Sequence, residues 1–253
     1  PAAAETTAAA ADTTAAPEKS EAETEAEAKD DAASGDLIVV GYAQVGAESD
    51  WRTANTESFK STFTEENGYK LIFDDAQQKQ ENQIKAIRSF IQQDVDYIVV
   101  APVVETGWEA VLQEAQEAGI PVILSDRQMD VDESLYECWV GGNFIKEGET
   151  AGNWLADYLK AQGRDGEDIN IVTLQGTIGA SAQVGRTEGF GNILKQHDNW
   201  KMLDMQTGEF TQAKGQEVME SFLKSYDNID VVVAENDNMA FGAIDAIKAA
   251  GKT

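Results

Sequence analysis

Charged and amide side chains stand directly after several apolar runs of this sequence. The run IPVILS, residues 120–125, leads into Asp126 and Arg127, an adjacent acid and base, and the run IDVVVA is followed by ENDNM, which contains Asn236 and Asp237. Arginine and carboxylate groups form two-pronged hydrogen bonds with vicinal hydroxyls, and together they balance their own charge. This chemistry suits a neutral polyol, although a solvated charge at the end of a strand would give the same local pattern.

Other residues after predicted strand ends fit the same kind of ligand. An aromatic face can cover the C–H side of a sugar ring, and further arginines and aromatics occur at Trp51, Arg52, Trp108, Arg186 and Phe210. Each has an alternative interpretation that the sequence leaves open. Trp51 could pack against its own helix, Arg186 could be a charge on a helix surface, and Asn236 is suited to cap the helix that follows.

Signatures of enzymes and metal sites do not emerge from the pattern. The sequence has no P-loop, no G-x-G-x-x-G that opens a helix after a strand and no G-x-S-x-G elbow. The carboxylates of Asp74 and Asp75 have no partner for acid–base work. The single His197 has no second ligand at metal spacing, and Cys138 lies in a strand-like run where we expect a buried thiol. We therefore predict a protein that is not an enzyme, with no cofactor and no metal.

Composition limits the class of partner. The chain has 253 residues, 42% of them hydrophobic, and a formal net charge of −27. Such a charge repels phosphate backbones and anionic membranes, so a nucleic-acid partner is excluded.

Residues 1–35 differ from the rest of the chain. They are rich in Ala, Glu and Thr and contain no Val, Ile, Leu, Phe, Tyr or Trp. Without large apolar side chains a segment cannot offset the entropy of ordering, so we expect a disordered acidic tether. It looks like the spacer of an extracytoplasmic lipoprotein whose lipidated Cys would lie upstream of Pro1.

From residue 36 onward, Val- and Ile-rich runs alternate with stretches of helical period. This alternation predicts an α/β protein with doubly wound parallel sheets. A polar turn and the pair Gly141–Gly142, a conformationally permissive hinge, divide it into lobes at 36–140 and 141–253. The predicted strands span 37–43, 70–76, 96–103, 120–126, 136–142, 169–175, 200–206 and 229–236.

Several segments in order give the chain from residue 37 a specific resemblance. It resembles the periplasmic sugar-binding proteins of ABC transporters that have the ribose/galactose-binding fold, and among them the galactofuranose-binding type. The segment ESDWR distinguishes this type from plain ribose binders. The other matching segments are DDAQQKQENQIKAIRSFI, APVVETGWEAVL, IPVILSDRQMDV, LQGTIGASAQVGRTEGF, GEFTQAKGQEVMESF and ENDNMAFGAIDAIKAAG.

The resemblance implies sugar contacts at eight positions. Asp126 and Arg127 match the pair that clamps the sugar, and Arg186 matches an arginine supplied by the second lobe. The other positions match the wall of the first loop, a stacking neighbour and an amide after the eighth strand; they are Glu48, Trp51, Arg52, Phe210 and Asn236.

The resemblance also implies an architecture and a mechanism. It indicates two lobes of the periplasmic-binding-protein type I fold that close by a hinge on a monosaccharide, in a monomer that docks on a membrane permease. Family members continue beyond AAGKT, so we expect a C-terminal truncation and an incomplete pocket wall. Asp50 and Gly142 depart from many relatives, which have Gly and Asp there.

A sensory role is the alternative to transport. In that role the same fold would deliver a sugar signal to a chemoreceptor or a sensor kinase. A sugar-sensing transcription regulator would need a basic helix-turn-helix, and the acidic residues 1–35 argue against it.

Overall fold

A computed structural model describes residues 36–252 of the chain. The predicted tether, residues 1–35, lies outside the described residues. The described part forms two parallel sheets flanked by helices, which confirms the predicted α/β class. Each of the eight predicted strands is present, with ends displaced by a few residues at most.

The first sheet contains five strands in the order β2-β1-β3-β4-β5, all parallel. Its strands are β1 (Ile38–Gln44), β2 (Tyr69–Asp75), β3 (Tyr97–Val100), β4 (Val122–Ser125) and β5 (Cys138–Val140). The central strands are almost fully apolar because helices cover both faces of the sheet.

The second sheet contains three parallel strands in the order β7-β6-β8. These are β6 (Ile169–Gln175), β7 (Trp200–Thr207) and β8 (Val231–Ala234). The chain passes from one sheet to the other between β5 and β6, after Gly141–Gly142, but the division into lobes at 140/141 stays a prediction.

Residues 36–252 contain seven α-helices, six between consecutive strands and a seventh after β8. They are α1 (Asp50–Thr62), α2 (Gln80–Gln92), α3 (Glu109–Glu117), α4 (Phe144–Ala161), α5 (Ser181–Leu194), α6 (Gln212–Ser225) and α7 (Asp237–Ala249). Side-chain oxygens cap four of them, with Ser49, Asn143, Thr211 and Asn236 each accepting from a main-chain N–H of the first turn. None of the helices in 36–252 combines the length and apolarity that a bilayer crossing requires.

Two expectations about individual side chains are wrong. Cys138 is exposed, because β5 is a three-residue edge strand whose first and last side chains point outward. Trp108, which the sequence placed among the strand-end aromatics near the ligand, is fully buried in the core of the first sheet. Its indole N–H donates to the Val104 carbonyl at 2.7 Å, so its polar group is satisfied within the fold.

Candidate functional site

A cavity of about 570 Å³ lies where the carboxyl ends of the strands of both sheets meet. All eight predicted site residues line this cavity, and they lie in segments that follow strands of both sheets. Parallel sheets place strand ends at one edge, so loops far apart in sequence converge there. The cavity brings the predicted residues together, while their contacts with a sugar stay a prediction.

Four charged residues form the first half of the cavity, Glu48, Arg52, Asp126 and Arg127. Glu48 Oε1 accepts from Arg52 Nε at 3.1 Å and from Arg127 Nη2 at 2.9 Å. Arg52 Nη2 also donates to Asp126 Oδ2 at 2.5 Å. Two acids and two bases therefore compensate one another in a cluster whose side chains are 2–15% exposed.

The backbone positions Asp126 in an unusual conformation. Its φ of 64° lies in the left-handed region, which is uncommon for a residue other than glycine. The conformation is held because Asp126 N–H donates to Val140 and the Trp139 indole donates to the Asp126 carbonyl. At Gly141 a Cβ atom would approach that carbonyl to 2.2 Å. A glycine beside β5 is thus required for the loop that presents the acid.

Two polar atoms of the first half have no partner in the structure. They are Glu48 Oε2 and Arg127 Nε, and both are buried. An unpartnered buried polar atom costs about 1–3 kcal/mol, more for a charged group. Burial, with the nearby Arg52, lowers the pKa of Arg127 to about 10.

Arg186, Phe210 and Asn236 form the second half of the cavity. Arg186 Nη1 donates to the Glu235 carbonyl at 2.6 Å, and its Nε donates to Glu147 Oε2 at 2.9 Å. Arg186 is therefore held at the cavity wall, and the alternative of a free helix-surface charge is wrong.

Asn236 has the capping role that its sequence position suggested. Its Oδ1 accepts from Met239 N–H at the start of α7, and its Nδ2 donates to the Phe210 carbonyl at 2.8 Å. The cap and the tie to Phe210 use both ends of the amide. Asn236 thereby links the ends of β7 and β8.

The two halves touch across the cavity. The Arg127 guanidinium lies over the Phe210 ring at 5.0 Å. Gln128 N–H donates to Ser181 Oγ at 2.9 Å, and Asp50 N–H donates to Asn238 Oδ1 at 3.2 Å. Trp51, by contrast, is 57% exposed and sits at the rim, where the Arg52 guanidinium stacks on it.

Glu235 is a cavity residue that was not among the predicted site residues, although it stands in the segment ENDNM. Glu235 lines the cavity and is buried, and Thr187 Oγ1 and Gly176 N–H donate to its carboxylate. Burial raises the pKa of Glu235 to about 7, against the opposing influence of those hydrogen bonds and of Arg186. An acid after an apolar strand was a usable signal, but its burial could not be read from sequence.

Comparison with known proteins places this geometry in a family. A family model described as a periplasmic binding protein domain matches residues 40–253. The chain is 50% identical over 218 residues to the galactofuranose-binding protein YtfQ of Escherichia coli (strain K12), which covers 85% of this chain and 67% of that protein.

Two solved structures also resemble this chain in both sequence and fold. A crystal structure from Mycobacterium smegmatis in complex with β-D-fucofuranose is 53% identical, with a TM-score of 0.82 over 86% of this chain and 70% of that one. The binding protein of the arabinose ABC transporter from Shewanella sp. ANA-3, bound to L-arabinofuranose, is 50% identical, with a TM-score of 0.79 over 85% and 70%. This chain spans about two thirds or less of the length of the curated relatives that it matches.

Proposed function

This chain belongs to the family of periplasmic binding protein domains, and from that premise we propose that it binds a monosaccharide in its furanose form. In this proposal it is the solute-binding component of an ABC importer. Two lobes, 36–140 and 141–253, close on the sugar by bending at Gly141–Gly142, and the closed form docks on a membrane permease. No covalent step occurs.

The observation that carries the proposal is the charge-balanced cluster of four side chains that lines the cavity, Glu48, Arg52, Asp126 and Arg127. A sugar hydroxyl can donate to the carboxylate of Asp126, the most exposed side chain of the cluster, while a sugar oxygen accepts from an arginine N–H. Glu48 and Asp126 oppose an anionic ligand, and Arg52 and Arg127 oppose a cationic one. A neutral ligand that both donates and accepts hydrogen bonds satisfies the cluster without adding charge.

The size of the cavity supports a small ligand. Pockets for small molecules span about 300–1,000 Å³, and this one has about 570 Å³. The buried Phe210 ring offers an apolar face beside the polar cluster. Polar groups on one wall and an aromatic on the other match the two kinds of surface that a sugar ring presents.

We propose the furanose ring form because similar proteins are named for, or were solved with, furanose sugars. Proteins that are 50–53% identical to this chain are named for galactofuranose, or were solved with β-D-fucofuranose or L-arabinofuranose. The same family places the protein outside the cytoplasm. We further propose that it acts as a monomer and is tethered through residues 1–35 to a lipidated cysteine upstream of Pro1.

Calorimetric titration with ring-locked sugars tests the proposal. Methyl β-D-galactofuranoside and methyl β-D-galactopyranoside differ only in ring size, and free L-arabinose and D-galactose complete the panel. We expect saturable binding of furanose forms and none of the pyranoside. The titration is run on chain 1–253 and on a chimaera that continues with the remaining residues of the Escherichia coli relative.

A matched pair of arginine variants locates the binding to the cavity. Arg127→Lys removes the planar donor fork and should weaken binding at least tenfold. Arg88→Lys changes an exposed arginine that pairs with Glu114 and should leave affinity unchanged. Binding that survives Arg127→Lys intact, or no binding by either protein, contradicts the proposal.

A further inference from the structure

The buried carboxylate of Glu235 joins three separate elements of the second lobe. Its Oε2 accepts from Gly176 N–H at 2.7 Å, just after β6, and its Oε1 accepts from Thr187 Oγ1 on α5 at 2.5 Å. Glu235 itself follows β8 and is only 6% exposed. The carboxylate therefore connects the ends of β6 and β8 to α5.

The hydroxyl of Thr187 can only donate to this carboxylate. Gln175 Nε2 and Gln183 Nε2 each donate to Thr187 Oγ1 at 3.0 Å. With both lone pairs of the hydroxyl in use, its proton points to Glu235. A protonated carboxyl oxygen still accepts hydrogen bonds, but more weakly than an ionised one. Both hydrogen bonds are therefore at full strength only with an ionised carboxylate.

Each proposed sugar contact of the second half lies next to a partner of this carboxylate. Arg186 precedes Thr187 and donates to the Glu235 carbonyl, and Asn236 follows Glu235. Phe210 packs so closely on Gly176 that a Cβ there would come within 1.9 Å of the ring. A shift of the Glu235 carboxylate and its partners would therefore move all three residues.

We propose that Glu235 is a positioning residue. Its ionised carboxylate forms a clip that holds β6, β8 and α5 together. The clip thereby keeps Arg186, Phe210 and Asn236 in the geometry that binds sugar. The proposal rests on the proposed function of the cavity. Glu235 acts through these neighbours, so its loss weakens binding without removing a sugar contact.

The ionisation of Glu235 makes the clip sensitive to pH near neutrality. Burial raises the pKa of this carboxyl to about 7, and Arg186 on α5 opposes that rise. Two further acids lie near it: Glu147 on α4 pairs with Arg186, and Asp237 of α7 lines the same cavity. Below pH 7 the carboxyl takes up a proton and the hydrogen bonds of the network weaken. Affinity should therefore fall about tenfold from pH 8 to pH 6 if only the ionised form is competent.

Sugar titrations of matched variants between pH 5.5 and pH 8.5 test the proposal. Glu235→Gln keeps the shape but brings two donor hydrogens to the site, so we expect affinity to be at least tenfold weaker at pH 8 and independent of pH. Thr187→Val removes the hydroxyl and should weaken binding, whereas Thr187→Ser retains it and should behave as the parent. Glu235→Gln with the parent's affinity and pH profile would overturn the clip.

A second measurement needs no sugar. In ligand-free chain 1–253, the ¹H–¹⁵N signals of the Gly176 amide and the Arg186 side chain should titrate together near pH 7 and lose that step in Glu235→Gln. If neither chain 1–253 nor the chimaera binds sugar but chain 1–253 shows this step, the proposed function fails and the clip stands. If the parent binds sugar but the two signals do not titrate together, the clip fails and the proposed function stands.

Discussion

The two halves of the cavity are built on different physical principles. The first half, Glu48, Arg52, Asp126 and Arg127, consists of four charges that hold one another through ion pairs. The second half, Arg186, Phe210 and Asn236, is held largely by main-chain groups, such as the Glu235 and Phe210 carbonyls.

This difference predicts how each half responds to change. In the first half every side chain is another's counter-charge, so removal of one leaves a buried charge in excess. In the second half the backbone supplies many partners, and the effect of a substitution stays local. The first half should therefore be the more sensitive to the loss of a charged or polar side chain.

Removal of a charge from the first half should have the largest effect. Arg127→Met leaves Glu48 and Asp126 facing Arg52 alone, and breaking a buried pair in this way costs about 3–5 kcal/mol of unfolding free energy. Urea denaturation measures the loss. The double variant Glu48→Gln/Arg127→Met restores charge balance and should be more stable than the sum of the single variants predicts. Additive losses would contradict a mutually compensating cluster.

Stability should respond to pH through Glu235, the acid with a raised pKa whose carbonyl holds Arg186 of the second half. The pKa of Glu235 rises from 4.5 to about 7 on folding, so its contribution to stability is full below pH 4.5 and is lost as pH rises through 7. The shift corresponds to a loss on the order of 3 kcal/mol.

The matched control is Glu235→Gln, which cannot titrate. The difference in unfolding free energy between the parent and this variant, measured by denaturation from pH 4 to pH 8, should change by that amount. A difference that is constant over this range would show that Glu235 titrates as an ordinary exposed acid.

A glycine pair tests the close packing of the second half. Gly176→Ala forces the Phe210 ring to move and should cost about 1–3 kcal/mol. Gly191→Ala on α5 meets no atom within 4 Å and should stabilise the protein by about 0.4–1 kcal/mol. Thermal denaturation compares the two variants. Equal effects would show that the contact between Gly176 and Phe210 is loose.

Trp51 should give the smallest change in stability. It is 57% exposed, and its contact with Arg52 is worth about 0.5–1 kcal/mol at such a site. Trp51→Ala should therefore reduce the unfolding free energy by about 1 kcal/mol, measured by urea denaturation. A loss as large as that of Arg127→Met would remove the distinction between the rim and the buried cluster.

The architecture and much of the candidate site could be predicted from the sequence alone. Alternating apolar runs and helical stretches are local patterns, and local patterns predicted eight strands and a parallel α/β fold. Because parallel strands end at a common edge, residues after the strands could be named as site candidates, and all eight line one cavity. The cap at Asn236 was also readable, since a cap depends only on its own helix.

Only the tertiary structure decided which of these groups are buried and what they pair with. Trp108 lies in the core and Cys138 at an edge, because burial depends on which elements pack over a strand. The shared role of Glu48 between two arginines joins residues 79 positions apart. The pKa of Glu235 likewise depends on Thr187 and Gly176, which approach it only in the folded chain. Desolvation and long-range hydrogen bonds are properties of three-dimensional proximity, and no local pattern encodes them.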